Sequence, residues 1–328
     1  MIIIPTEKRF DWKHTPLVLF ILVLINVMVF FAYQFGDTEK QFDAITDYQQ
    51  HEFLVKEWPL YVDYLKQNQA YQRLEESKKL YENIQTEDDD APQSEIQLIY
   101  TIISDPGFYQ YLEQNAYNVF YLSYIEKWAL PRSEINDTIQ SVSSVAFGLI
   151  PNQLGLVTLL THQFLHGGVM HLLGNMFFLI ICGFAVEAAI GHLRFLLFYL
   201  ASGVAGGLLF AVMDLSSVQP LVGASGAISG VMAMYLGVFR FKKIEFFYWL
   251  FVFVGYFRAP ALLILPFYIG KELFSYFSDS GTNVAFMAHA GGFIAGSLMM
   301  AIAYYLNPKM MNEAYIEEDQ ETPQLQLD

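Results

Sequence analysis

Long apolar runs dominate the hydrophobic pattern of the chain, and most of them match the thickness of a lipid bilayer. A helix needs roughly 20 apolar residues to cross the hydrocarbon core. Six runs come close to that length, and they cover residues 16–33, 170–190, 194–213, 221–239, 259–277 and 285–306. The pattern therefore predicts an all-α polytopic membrane protein with six transmembrane helices.

The first apolar run follows Lys8, Arg9 and Lys13, as the apolar part of a signal peptide also would. No cleavage site of small residues follows it, so we interpret the run as a retained anchor. Basic residues near helix ends mark the cytoplasmic side of a membrane. Six helices with both termini in the cytoplasm satisfy that rule, and we expect a multi-pass protein of a bacterial inner membrane.

A shorter apolar run from Phe246 to Tyr256 could be miscounted as a seventh helix. It is too short to span a bilayer as a helix, and basic residues at 242–243 and 258 flank both of its ends. We interpret it as a connection on the cytoplasmic side that lies against the membrane. If this run spanned the membrane, the last helix would be inverted. Two residues considered below as a possible catalytic pair, Ser225 and His289, would then lie about 30 Å apart, one hydrocarbon thickness.

Residues 34–146 form a polar, tyrosine-rich insert between the first two helices, and we expect it to be extracytoplasmic. Apolar side chains recur at helical spacing in two parts of it, at Leu54, Trp58, Tyr61 and Leu65 and, more weakly, at Phe108, Leu112 and Val119. A polar linker at Glu87–Pro92 divides these parts. The helices could pack into a small subdomain or lie on the outer leaflet.

The predicted organisation has four parts: residues 1–33 with the first helix, the insert 34–146, a core 147–306 with helices two to six, and a tail 307–328. The tail is acidic and lacks periodicity, which is typical of disorder. The net charge of −15 argues against nucleic acid as a partner. The single cysteine, Cys182, excludes an intrachain disulfide and a multi-cysteine metal site.

Ser225 stands in the sequence Gly223-Ala224-Ser225-Gly226 at the start of an apolar run. Glycines permit a tight turn, and a serine at a helix N-terminus gains from the positive end of the helix dipole. The same small residues, continued by Ser229 and Gly230, could equally form a packing stripe for another helix. This motif alone does not decide between a nucleophile and a packing surface.

A second motif, Ala288-His289-Ala290-Gly291-Gly292, lies near the outer end of the last apolar run, and Gly296 follows. His289, Gly292 and Gly296 share one helical face. A glycine face permits an unusually close approach to another small-faced helix, and the stripe that contains Ser225 is the obvious partner. Histidine is the side chain best suited to accept a serine proton near neutrality. The two motifs together predict a Ser225–His289 dyad.

His171 and Asn175 are four residues apart at the outer end of the second predicted helix and share a face. Their N–H groups, with the Ser225 backbone N–H, could stabilise negative charge on a carbonyl oxygen, at about 3 kcal/mol each. A metal site is the alternative, because His162 and His166 precede His171 at suitable spacing. No fourth ligand is evident, and we interpret His162 and His166 as structural.

These motifs together resemble the rhomboid family of intramembrane serine proteases. The resemblance covers about 16–33 and 147–306 and includes His166-Gly167-Gly168 and Val186-Glu187 followed by Gly191-His192. It implies that Ser225 is the nucleophile and His289 the general base and acid, and that His171 and Asn175 stabilise the oxyanion. It implies substrates with a single membrane span, cut near the outer boundary of the bilayer, and no metal or cofactor.

The sequence departs from the family pattern in two places. Position 229 often carries an aromatic ring that stacks on the catalytic histidine, and here it is Ser229. Support for the His289 ring would then come from elsewhere, with Tyr235 and Phe293 as the nearest aromatic choices. The second departure is the insert, to which the resemblance gives no role. Substrate recruitment and stabilisation of the fold are both open for it.

Two other functions compete with proteolysis. A rhomboid-like protein that binds membrane clients without cutting them is the first alternative, but such relatives usually lack the serine or the histidine. A channel or small-solute transporter is the second, and that class favours inverted repeats and broken helices at mid-membrane. Neither feature is evident in the sequence, whose polar motifs cluster at one membrane face.

Overall fold

The computed structural model of the chain describes residues 2–5, 16–86, 90–239, 243–250, 253–260 and 283–307. They fall into two compact units. The first, which we call the membrane unit, comprises residues 1–28, 166–213 and 223–328, and the second, the outer unit, comprises 29–165 and 214–222.

Helices make up most of both units. In chain order they are α1 (Leu17–Met28), α2 (Asp37–Gln50), α3 (Phe53–Gln67), α4 (Tyr71–Thr86), α5 (Ala91–Ile103), α6 (Pro106–Val119), α7 (Leu122–Gln140), α8 (Ser143–Phe147), α9 (Thr158–Thr161), α10 (Val169–Ile190), α11 (His192–Met213), α12 (Ser225–Phe239) and α13 (Asn283–Leu306). A π-helical turn at Val29–Tyr33 extends α1, and 3₁₀ turns occupy Pro151–Gln153 and His162–Phe164.

Within the described residues, four helical stretches are long and apolar enough to cross a membrane: Leu17–Gln50, Val169–Ile190, His192–Met213 and Phe286–Leu306. They coincide with four of the six predicted runs, and the chain is a multi-pass membrane protein. The fourth run corresponds to α12, which has only 15 residues. The fifth run, 259–277, lies outside the described residues except for its first two positions, so the count of six remains a prediction.

A three-stranded antiparallel sheet is the element that the sequence pattern did not predict. It consists of β1 (Ile2–Pro5), β2 (Lys243–Leu250) and β3 (Phe253–Pro260), in the order β1-β2-β3. Ile2 pairs with Trp249, and Leu250 pairs with Phe253. The described parts of the run, residues 246–250 and 253–256, therefore lie in paired strands and not in a seventh helix. The sheet joins the N-terminus to the connection that follows α12.

Glycines allow α12 and α13 to approach until their backbones touch. A methyl group built on Gly292 would lie 1.9 Å from the Gly226 carbonyl oxygen, and one on Gly296 would lie 2.4 Å from that of Gly230. Both distances are far below any real carbon–oxygen contact, so no larger residue fits. The close approach predicted from the glycine face of the last helix is present.

The buried carboxylate of Glu187, near the end of α10, caps the first helix. Its oxygens accept hydrogen bonds from the backbone N–H groups of Val18 at 2.9 Å and of Leu19 at 2.7 Å. Nδ1 of His192 is a third partner of the same carboxylate. Because the first N–H groups of a helix have no partners within it, this cap satisfies two of them and fixes α1 against α10.

The outer unit contains its own hydrophobic core, formed chiefly by α2 to α7. Tyr61 and Leu65 from α3 and Phe108 and Leu112 from α6 are buried in it, as the predicted helical patterns require, whereas Val119 at the end of α6 is 49% exposed. The Trp58 ring stacks on Tyr81 with 4.4 Å between the ring centres. The insert therefore packs into a subdomain, which was the first of the two arrangements that the sequence left open.

The interior of the outer unit contains two buried clusters of charged side chains. In one, Glu57 accepts hydrogen bonds from Tyr48, Trp128 and Arg132 at 2.8–3.2 Å. In the other, Arg73 pairs with Asp105. A buried ion pair is expensive to break, because the remaining charge has no solvent to stabilise it.

Residues 214–222 connect α11 to α12, and we call them the 214–222 segment. Although the helices on either side belong to the membrane unit, the segment itself packs with the outer unit. Leu221 and Leu149 form an isolated antiparallel bridge through two backbone hydrogen bonds of 2.9 and 3.0 Å. The Asn152 N–H donates to the Ser217 carbonyl at 3.1 Å. Ser225 follows the end of this segment by three residues.

Candidate active site

Ser225 is the first residue of α12 and directly follows a turn that requires glycine at position 223. Gly223 has a φ of +129°, a conformation that residues with a Cβ atom rarely adopt. The helix then begins at Ser225, and the Ala224 carbonyl accepts the N–H of Ile228 at 2.9 Å. The Ser225 backbone N–H therefore belongs to the first turn of the helix, where N–H groups have no partner within the helix.

Ser225 and His289 lie within hydrogen-bonding distance, with 2.7 Å between Oγ and Nε2. Both residues are half-buried. His289 is carried by α13 one turn before Gly292, so the contact of Gly292 with α12 brings the imidazole to the serine. A neutral imidazole at this distance can accept the hydroxyl proton as the oxygen attacks a carbonyl.

His171 and Asn175 converge on the backbone just before Ser225. A methyl group built on Gly223 would lie 3.0 Å from His171 Nε2 and 3.7 Å from Asn175 Nδ2. Asn175 is buried, and its Nδ2 has no hydrogen-bond acceptor among the described residues. A buried donor without an acceptor is costly unless something fills the place. The oxygen of a reacting carbonyl group is an acceptor of the required kind.

Gly167 sets the tautomer of His171, a role that the motif His166-Gly167-Gly168 did not predict. Its backbone N–H points to His171 Nδ1 at 3.4 Å, so Nδ1 is the accepting nitrogen and the neutral ring carries its proton on Nε2. That N–H is the one beside Gly223. The sequence offers one indication of this contact: two glycines stand directly before α10, and His171 lies in the first turn of that helix.

The other two histidines of the sequence cluster have structural surroundings. His162 is buried and its Nδ1–H donates to the Thr158 carbonyl at 2.8 Å. His166 is buried, and its ring packs edge-on against His171 with 5.3 Å between the ring centres. In the part of the chain that the structure describes, no three His, Cys, Asp or Glu side chains are grouped as metal ligands.

Burial lowers the pKa of His162 to about 4 from an ordinary 6.5. Between pH 4 and pH 6.5 the unfolded chain binds a proton that the folded chain does not. His162 therefore leaves the free energy of unfolding unchanged above pH 6.5 and lowers it as the pH falls through this range. We expect the free energy of unfolding to decrease by about 1.4 kcal/mol per pH unit, or about 3 kcal/mol in all, from this residue.

The measurement is unfolding in detergent at pH 4.5 to 7.5 for the wild type and for His162→Gln. Glutamine can still donate to the Thr158 carbonyl but does not titrate, so the variant should lose much of the pH dependence. Equal slopes for the two proteins would contradict the assignment to His162.

Ser229, which replaces the aromatic residue expected from the resemblance, bonds back to the helix. Its Oγ donates to the Ser225 carbonyl at 2.7 Å, and the residue is buried. The ring of Tyr235 packs against Phe239 with 4.8 Å between centres. Tyr235 lies ten residues after Ser225, about 15 Å along the helix, so it does not replace the missing ring. Phe293 follows His289 by one turn of α13.

Comparison with known proteins agrees with this geometry. The family model described as "Rhomboid domain" matches residues 153–306, which carry all four candidate residues. The chain is 44% identical over 78 residues to RHOMBOID-like protein 6, mitochondrial, of Arabidopsis thaliana, a match that covers 24% of this chain and 25% of that protein.

Two further relatives match over longer stretches. RHOMBOID-like protein 5 of Arabidopsis thaliana is 31% identical over 159 residues, which is 46% of this chain and 47% of the relative. YdcA of Bacillus subtilis (strain 168), described as a candidate rhomboid protease, is 32% identical over 142 residues, which is 43% of this chain and 64% of the relative. In each case the match covers less than two thirds of the relative's own length. The match to the rhomboid domain at residues 153–306, just under half of the chain, supports membership of the rhomboid family.

Proposed function

We propose that this protein is an intramembrane serine endopeptidase that hydrolyses peptide bonds of membrane proteins with a Ser225–His289 dyad. The observation that carries the proposal is the 2.7 Å separation of Ser225 Oγ and His289 Nε2 inside a rhomboid domain. A serine and a histidine this close, with donors converging beside them, form the minimal arrangement for acyl transfer.

In the first half of the reaction, Ser225 Oγ attacks the carbonyl carbon of the substrate while His289 Nε2 takes the hydroxyl proton. The carbonyl oxygen becomes negatively charged and accepts hydrogen bonds from the Ser225 backbone N–H, the His171 Nε2–H and the Asn175 amide. His289 then gives its proton to the leaving nitrogen as the peptide bond breaks. An ester between Ser225 and the acyl half of the substrate remains.

In the second half, water takes the place of the departed amine. His289 removes a proton from the water as its oxygen attacks the ester carbonyl, and the same three donors stabilise the second tetrahedral intermediate. Its collapse breaks the bond to Ser225 Oγ, which regains the proton from His289. The dyad works without an acidic third member, in contrast to the triads of soluble serine proteases.

The substrates we propose are proteins with a single transmembrane segment, cut near the outer boundary of the bilayer. Ser225, His171 and His289 stand at or near the start of their helices, and water must reach this end for the second half of the reaction. With both termini in the cytoplasm, that end faces outward. The relatives come from a plant, a mouse and a bacterium, so they do not select one cellular membrane.

The alternative is a rhomboid-like protein that binds membrane clients without cutting them. It would bind its clients through the same membrane helices but would not need a reactive serine. The contact between Ser225 and His289 favours the protease, because binding alone gives no reason to keep a base 2.7 Å from a hydroxyl.

The decisive experiment reconstitutes the full-length protein in liposomes with a model substrate that has one transmembrane segment. We expect cleavage by the wild type, and covalent labelling of Ser225 by a fluorophosphonate, with both lost in Ser225→Ala. Cleavage that persists in Ser225→Ala would refute the dyad. Retained substrate binding without cleavage or labelling of the wild type would favour the client-binding alternative.

A further inference from the structure

The insert contacts the 214–222 segment through the buried guanidinium of Arg73, in α4. Nη1 donates to the Ser216 carbonyl oxygen at 2.9 Å. Nη2 donates to the Tyr61 hydroxyl at 2.9 Å and to Asp105 Oδ2. The side chain of Arg73 is 8% exposed and that of Asp105 is fully buried. One planar group thus joins the interior of the insert to the chain that precedes Ser225.

Asp105 fixes the direction in which Arg73 points. Its Oδ1 accepts the N–H groups of Gly107 at 3.0 Å and Phe108 at 3.2 Å at the start of α6. A carboxylate in this position is stabilised by the N-terminal end of the helix dipole. Because the donors of a guanidinium form a rigid fork, a carboxylate held on one nitrogen leaves the other aimed at a single place, here the Ser216 carbonyl.

The 214–222 segment depends on such contacts, because it forms neither a helix nor a continuous strand. Within it, Asp214 Oδ1 accepts the N–H of Ser216 at 2.9 Å and its hydroxyl at 2.6 Å. From outside the segment, the Asn152 N–H donates to Ser217 in its first half, and Leu149 pairs with Leu221 in its second half. Arg73 also acts on its first half, through the side-chain hydrogen bond that this residue of the insert donates to the Ser216 carbonyl.

We propose that Arg73 is a positioning residue that holds the 214–222 segment and, through the short stretch of chain from Ser216 to Ser225, the reactive geometry of the serine. The inference rests on the proposed protease function. It assigns the insert a role in catalysis that the rhomboid resemblance leaves open, since α4 lies outside the matched domain. Substrate recruitment is not needed to explain why the insert is there.

The test compares Arg73→Lys with Arg132→Lys in the full-length protein. Lysine keeps a positive charge for Asp105 or Glu57 but has one nitrogen, so Arg73→Lys loses the donor to Ser216. Arg132 is also fully buried against a carboxylate in the same unit, and no described hydrogen bond joins it to the 214–222 segment. We expect kcat to fall about tenfold with KM within about twofold in Arg73→Lys, and no change in Arg132→Lys.

Two further readouts separate positioning from general damage. The rate at which a fluorophosphonate labels Ser225 should fall with kcat in Arg73→Lys. Backbone hydrogen exchange should accelerate at 214–222 in that variant but only around α3 and α7 in Arg132→Lys. If Arg73→Lys does not fold, Tyr61→Phe removes one bond to the guanidinium, and Tyr48→Phe, which loses a 3.1 Å bond to Glu57, is its control.

Equal losses in both variants, or no loss in either, would overturn the inference while leaving the protease proposal intact. If the wild type neither cleaves nor reacts at Ser225, the protease proposal fails. Hydrogen exchange then decides whether Arg73 holds the segment, because that measurement needs no activity. Unchanged exchange at 214–222 in Arg73→Lys would reject the contact itself.

Discussion

Replacing His289 with glutamine should lower the rate of substrate cleavage by roughly 10,000-fold, the upper end of what a general base contributes. Glutamine can keep a hydrogen bond to Ser225 Oγ but cannot accept its proton. Cleavage assays in liposomes with and without Ser225→Ala test this. The double variant should be no slower than either single one, because the two residues act as a unit.

His51→Gln is the matched control, since His51 is an exposed histidine of the outer unit whose Nδ1 lies 2.8 Å from the Asp47 carbonyl. It should cleave at the wild-type rate. A His289→Gln protein that retains more than a hundredth of the wild-type rate would contradict the dyad.

Replacing Gly223 with alanine should reduce cleavage by about 100-fold or more, because displacements near 1 Å at a reacting group have effects of that size. The φ of +129° disfavours any Cβ atom, and the new methyl group would lie 2.9 Å from His171 Cε1. Either the His171 ring or the turn before Ser225 must move. Fluorophosphonate labelling of Ser225 and substrate cleavage should fall together.

Gly174→Ala supplies the comparison for Gly223→Ala. Gly174 lies in α10 between His171 and Asn175, and a methyl group built on it meets nothing within 4 Å. Alanine is favoured over glycine inside a helix by about 1 kcal/mol, so this variant should remain active and be no less stable. Full activity in Gly223→Ala would show that the turn tolerates a side chain and that His171 does not need its present position.

The approach of α13 to α12 could be predicted from sequence because it depends on residue size along a helical face. Gly292 and Gly296 recur with the period of a helix, and no other residue lets two backbones come so close. The apolar helices of the membrane unit were predictable for a similar reason, since length and hydropathy alone define them. Local periodicity along the two helices was therefore enough to predict that Ser225 and His289 lie together.

The hairpin of β2 and β3 could not be predicted in the same way. Its residues are apolar on every position from Phe246 to Val254, so neither a period of two nor one of 3.6 stands out. The bond from Arg73 to Ser216 joins residues 143 positions apart, and no local rule links an arginine in a polar helix to a loop after α11. Such contacts depend on the packed tertiary structure of the outer unit.

The pairing of β1 with β2 imposes a parity rule on the topology of the chain. Two strands that share backbone hydrogen bonds must lie on the same side of a bilayer, so the chain between Pro5 and Lys243 must cross it an even number of times. Among the described residues, the apolar helices in that interval are α1, α10, α11 and α12, and the number of crossings is even only if the 15-residue α12 is a full crossing. A reporter fused at residue 2 and another inserted between β2 and β3 should therefore always be found in the same compartment.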